Sequence, residues 1–165
     1  MDNKRLISIL RGAAEFTSDD DVTRYNLTHL NVPTPTRIEA TDGHRLVRID
    51  CEEPHGLPVG YLDPKAALAR LKCGVPVELV PDDAPYPNFD NVLAGTDAPA
   101  DKPESVGLNP VLLADVAGAL ADVIGAGKKH APAITMHTRG ALDPVRFDVK
   151  ANGVRAVALL MPMRK

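Results

Sequence analysis

Gly125-Ala126-Gly127-Lys128-Lys129 is the stretch nearest to a known chemical signature, the glycine loop that cradles phosphates. Such a loop needs a glycine five positions before Gly127 and a hydroxyl residue directly after Lys128. Its backbone amides wrap the phosphates, and the hydroxyl holds magnesium. Those two positions are Asp122 and Lys129, and the run follows a helical pattern where a strand is required, so the loop is excluded. The five histidines, at 29, 44, 55, 130 and 137, are scattered without ligand spacing, and no metal site is expected. Cys51 and Cys73 have neither CxxC spacing nor a histidine cluster beside them, so both read as buried or incidental thiols. No serine or cysteine sits in a nucleophile-elbow context. The aspartates fall in turns and caps, which they occupy for backbone reasons. With no catalytic constellation and no cofactor motif, the chain reads as a non-enzymatic protein.

Composition narrows the class further. The chain has 165 residues, enough to bury its own core. A formal net charge of −3 requires any nucleic-acid role to concentrate its cations on one face. Aromatic residues are 4% of the chain and tryptophan is absent, which argues against platforms that stack single-stranded bases. No run reaches the length of a membrane span and no secretory leader is apparent, so an intracellular, cytoplasmic protein without membrane contacts is expected.

The elements follow from periodicity and punctuation. Residues 3–16 place Leu6, Ile9, Leu10 and Ala13 on one helical side, with Lys4, Ser8, Arg11 and Glu15 opposite and Arg5 beside them. Val22–Val32 alternates as a strand that Pro33 and Pro35 end. Arg37–Ala40 and His44–Ile49 flank Asp42-Gly43 as a hairpin, whose two central residues both want positive φ. Asp63 caps a short helix with Pro64 at its first position and Gly74 after its end; it carries Lys65, Arg70 and Lys72. A strand over Val75–Val80 is expected next, then an irregular proline- and aspartate-rich loop. Asn109 caps a helix whose Leu113, Val116, Ala117, Leu120, Val123 and Ile124 form an apolar stripe, with Asp115, Ala119 and Asp122 opposite. Strands over 133–138, 145–150 and 154–161 finish the chain, Asn152-Gly153 turning between the last two. Helix-then-three-strands thus occurs at both ends, an architectural repeat with little sequence identity.

Two stretches stand out from this pattern. Asp42-Gly43 in Ala40-Thr41-Asp42-Gly43-His44-Arg45-Leu46-Val47 is by itself a surface hairpin. Ala156–Leu160 runs apolar into Met161-Pro162-Met163-Arg164, where an ordinary terminus is polar and frayed. Together they resemble signature stretches of the bacterial sliding clamp, the β subunit of DNA polymerase III. Weaker similarities follow in the same order: Val22–Leu27, Leu62–Leu68, Tyr86–Leu93 and Leu108–Leu113. The resemblance implies an α+β, sliding-clamp-like fold of repeated helix-plus-antiparallel-strand modules, with helices on one face of the sheets. It implies a single clamp-like domain over 1–165, divided into a first module (1–52), a connection (53–104) and a last module (105–165).

The resemblance also implies a pocket for short linear peptides of clamp-binding-motif proteins such as DNA polymerases. Leu27, Thr41, Gly43, Leu46, Pro87, Val92, Leu159, Met161, Pro162 and Met163 would line it, and Arg24, His44, Arg45, Asn109 and Arg164 would form its polar rim. Asn91 and Leu112 depart from the family pattern, which usually has arginine and tyrosine there. A ring on double-stranded DNA would use Lys4, Arg5, Arg11, Lys65, Arg70 and Lys72, against the acidic face of the last helix, and would need a homo-oligomer. The alternative is a monomeric adaptor or decoy that competes for clamp-binding proteins without encircling DNA.

Overall fold

A computed structural model describes residues 1–19, 25–81, 84–96, 106–125 and 132–163. The first helix, α1 (Asn3–Ala14), starts where the Asp2 carboxylate accepts the Arg5 N–H, and it buries Leu6, Ile9, Leu10 and Ala13. β1 (Leu30–Thr34), β2 (Arg37–Thr41) and β3 (Arg45–Cys51) follow as an antiparallel meander, with β4 (Gly60–Leu62) returning along β1. α2 (Pro64–Lys72) is capped by Asp63 with Pro64 at its start, α3 is Phe89–Ala94, and α4 (Pro110–Ile124) runs from an Asn109 cap to a left-handed Gly125. β5 (Thr135–His137), β6 (Val145–Ala151) and β7 (Val154–Leu160) form the second meander. Asn152 and Gly153 both have positive φ at the β6–β7 turn, as the hairpin pattern demands.

The seven strands among the described residues join one antiparallel sheet in the order β4-β1-β2-β3-β7-β6-β5. The last strands of the two meanders, β3 and β7, pair with each other at its centre, from Arg45↔Leu160 to Cys51↔Val154. This position answers the unusual apolar ending: Ala156–Leu160 is buried because it is the middle of the sheet. Side chains alternate between faces along each strand. Val47, Ile49, Ala156, Ala158 and Leu160 point to the layer of α1 and α4, forming the main core with Ile9, Leu10, Leu120 and Ile124. α1 and α4 meet closely at Gly12, where a Cβ would lie 2.5 Å from the Ala119 carbonyl oxygen and 2.7 Å from a Val123 methyl. Leu46, Val157 and Leu159 point the other way and pack with Phe89 and Leu93 of α3.

Several expectations are corrected. Of the strand expected over Val22–Val32, residues 22–24 lie outside the described residues, 25–29 are not strand, and β1 begins at Leu30; Pro33 lies inside it at an irregularity between Asn31 and Thr34. A missing donor is tolerated at such a break in the ladder. Val75–Val80 forms no strand; Pro76 has no N–H to give, Val75 and Leu79 are exposed, and only the Val80 N–H reaches β4, at Tyr61. α3 replaces part of the expected irregular loop. On α4 it is Ala119 that is buried and Ala117 that is exposed, because the close crossing with α1 rotates the buried stripe. The strand expected over 133–138 is confined to Thr135–His137.

Candidate functional site

The β2–β3 hairpin is built around one carboxylate. The Asp42 side chain accepts the N–H groups of His44 (2.8 Å) and Arg45 (2.7 Å) and the Arg45 Nε–H (2.9 Å). The Thr41 hydroxyl donates to the Arg45 carbonyl at 2.7 Å and accepts the Gly43 N–H at 3.1 Å. Thr41 pairs with Leu46 and the Asp42 N–H donates to the Arg45 carbonyl at 3.3 Å, so the turn is centred on Gly43-His44, with Gly43 at φ +88° coming first, and Asp42 braces it from outside. Glycine takes that φ without the Cβ clash other residues meet.

Arg45 is held from several sides. Its guanidinium pairs with Asp42 at 2.9 Å and with Asp115 of α4 at 3.2 Å, and it stacks 5.7 Å from the centre of the Phe16 ring. A rim residue expected to greet a ligand is thus engaged within the fold, pinning the hairpin to the helical layer. The chain after β7 continues beside the turn: the Met161 N–H donates to the His44 carbonyl at 3.0 Å, and the Met163 N–H to the Gly107 carbonyl at 2.9 Å.

α3 supplies the facing wall. Asn88 caps it through the Asn91 N–H, and Phe89 and Leu93 are buried against the sheet. Tyr86, just before it, lies tilted against Phe89 with ring centres 5.7 Å apart, and its hydroxyl donates to the Glu39 carbonyl at 3.2 Å. Burial, then the Glu39 charge, pushes the Tyr86 hydroxyl well above its ordinary pKa, so it stays a neutral donor.

Between these elements lies a mainly apolar cavity of about 250 Å³. Leu27, Thr41, Gly43, His44, Arg45, Leu46, Pro87, Val92, Leu159 and Met161 surround it, as do Tyr25 and Phe89. The last two escaped the sequence reading. Phe89, Val92 and Leu93 stand at helical spacing after Asn88, a signal that would have shown the helix and its apolar side. Asn109 lies outside the lining and caps α4 through the Val111 N–H at 2.9 Å. Pro162 and Met163 lie beyond it on the exit of the chain, Met163 being 54% exposed. Arg24 and Arg164 fall outside the described residues.

The cationic residues of α1 and α2 differ among themselves. Lys4 and Lys72 are exposed, Lys65 pairs with Asp19 at 3.4 Å, and Arg70 with Glu78 at 2.5 Å. Arg5 turns inward: its guanidinium nitrogens are buried with no hydrogen-bond partner among the described residues and lie against Gly125 at the end of α4. Burial lowers its pKa, and the partial negative charge of the helix end offsets part of that cost. The carboxylates of α4 are engaged, Asp115 by Arg45 and Asp122 by Arg11 at 3.9 Å. Among the described residues no group of three or more His, Cys, Asp or Glu side chains could hold a metal ion. No described helix is long and apolar enough to cross a membrane.

Comparison with solved structures assigns the fold. The DNA polymerase sliding clamp from Caulobacter crescentus matches at a TM-score of 0.70 and 20% identity, over 100% of this chain and 65% of that one. The clamp from Bacillus subtilis matches at 0.66 and 14%, over 99% and 63%. The DnaN sliding clamp from Bartonella birtlesii, in a structure bound to griselimycin, matches at 0.61 and 16%, over 99% and 65%. The protein therefore has the sliding-clamp fold, spanning about 65% of the length of the clamp it matches in Caulobacter crescentus. No family model and no curated protein sequence matches the chain.

Proposed function

We propose that this protein is a clamp-like replication protein that binds short linear peptides of polymerase or repair partners in the cavity beside the β2–β3 hairpin. The observation that carries the reading is the convergence of Thr41–Leu46 with Leu159 and Met161 on one cavity. These two parts of the chain lie more than 100 residues apart in sequence. The site suits a peptide on physical grounds. Its walls accept a few apolar anchor side chains, and Met161 adapts its shape. The fold of the clamps supports a non-enzymatic, tethering activity.

The test is calorimetric titration with a peptide carrying the clamp-binding motif of a bacterial polymerase. The native protein should bind, and Met161→Asp, which places a charge on the cavity wall at a position 47% exposed, should abolish binding while the circular dichroism spectrum stays native. Unchanged affinity in Met161→Asp would overturn the reading.

Encirclement of DNA is a second reading; the pairing of Asp115 with Arg45 and of Asp122 with Arg11 lessens the repulsion expected from α4. It requires several copies of the chain. Light scattering across concentration separates the two: a closed multimer supports a ring, and a monomer at every concentration supports an adaptor or decoy.

A further inference from the structure

We propose that α3 is a strap that sets the width of the cavity, and that the Arg48–Asp90 pair is its latch; this rests on reading the cavity as the ligand site. α3 crosses the seam where β3 pairs with β7, on the sheet face opposite α1 and α4. It contributes Phe89 and Val92 to the cavity wall. Six residues are too few for a helix to persist alone, so its order is set by its attachments.

Those attachments are unequal. Phe89 and Leu93 rest on Leu46, Val157 and Leu159, and two of these, Leu46 and Leu159, also face the cavity. A ligand side chain there touches the same surface that seats the strap. At its start, Arg48 reaches Asp90 at 2.7 Å. At its end, Arg139 donates to the Gly95 carbonyl, and Arg146 to the Thr96 hydroxyl at 3.4 Å.

The Arg48 bond is the releasable one. Arg48 is directly opposite Glu39 on β2 and bonds its carboxylate at 2.7 and 2.8 Å. With its guanidinium 12% exposed and already neutralised by a buried partner, Arg48 does not need Asp90 to remain satisfied. Asp90 is 76% exposed and returns to water at little cost. Opening the latch therefore strands no charge, while closing it fixes the first turn of α3. Asp90 and Arg48 act through α3 and are positioning residues.

Hydrogen exchange of the full chain, read by mass spectrometry, tests this. In the free protein, amides of 89–96 should exchange faster than those of β3 and β7. Asp90→Asn should speed them about two- to five-fold further, the range for loss of an exposed ion pair, and leave β7 unchanged. Equal protection of α3 and the central strands, or no effect of Asp90→Asn, would overturn the proposal. Griselimycin, the ligand of one clamp of this fold, serves as the probe for the wall. Bound griselimycin should slow exchange of α3; binding that leaves those amides unchanged would refute the strap as a wall. Failure of griselimycin to bind counts against the cavity reading, whereas the free-protein comparison still decides the latch.

Discussion

Removing the carboxylate of Asp42 should destabilise the fold more than removing any exposed charge. Its oxygens accept two backbone N–H groups and the Arg45 guanidinium, at 2.7–2.9 Å. Asp42 and Arg45 side chains are only 16% and 11% exposed, so solvent replaces little of what is lost. Hydrogen bonds to a charged group contribute ~1.5–3 kcal/mol. Asp42→Ala also leaves the His44 and Arg45 amides without their acceptor, which places the expected loss at about 3 kcal/mol. With a urea slope of ~2 kcal/mol/M for a domain of this size, the unfolding midpoint should fall by about 1.5 M. Asp42→Asn keeps an oxygen for the two amides and should lose about half as much. Asp115→Ala is the control. Asp115 touches the same guanidinium at 3.2 Å but is 42% exposed, and its removal should cost less than ~0.5 kcal/mol. A midpoint shift below ~0.3 M for Asp42→Ala, or equal losses for Asp42→Ala and Asp115→Ala, would refute the reasoning.

Further expectations concern packing, pH and DNA. Gly12→Ala places a Cβ against the Ala119 carbonyl and Val123, and should lower the thermal midpoint by an amount matching ~1–3 kcal/mol of overpacking. Gly118→Ala on α4 meets open space and should be neutral or stabilising by up to ~1 kcal/mol. The two midpoints moving together would contradict the α1–α4 crossing. His55 is buried, and burial lowers its pKa from the ordinary 6.5. The unfolded chain therefore takes up its proton first, and stability should fall as pH drops below about 6.5. Denaturant midpoints against pH check this, and His55→Gln should flatten that limb. Asp148 is partly buried, but Arg146, Arg155 and His137 outweigh burial and hold its carboxyl below the ordinary 3.8; its contribution should be lost only in stronger acid. If a ring forms on DNA, reversing Lys4 and Lys72 to glutamate should weaken salt-sensitive duplex binding in gel-shift titrations, and unchanged binding would remove these helices from the interface.

Much of the framework was legible because its signals are local. Asp63-Pro64 and Asn109-Pro110 each join a capping side chain to a proline with helical φ, and both open helices as read. Asn152-Gly153 can both take positive φ, and the turn forms there. The alternation of β3 and β7 was readable too, although their pairing joins residues about 110 positions apart and leaves no local trace. What escaped depends on tertiary context. Asp-Gly is ambiguous between a turn centred on itself and one shifted by a residue; the bond from Asp42 to the His44 N–H selects the shifted form. Ala117 and Ala119 are alike to any hydropathy pattern, and only the close passage at Gly12 decides which is buried. For the candidate site, both ends of the chain that surround the cavity were named. Phe89 was not, because α3 is short and lies in a proline-rich stretch, and neither was Tyr25, which was read only as part of a strand. Arg45 was identified as a position but not as an ion pair with Asp115, 70 residues away.

The most direct test of the central claim is an amide NMR titration of the labelled protein with a clamp-motif peptide. The account predicts saturable shifts confined to Tyr25–Leu27, Thr41–Leu46, Phe89–Val92 and Leu159–Met161, with α1 and α2 silent. Shifts spread over the helical face, or no shifts at saturating peptide, would contradict it.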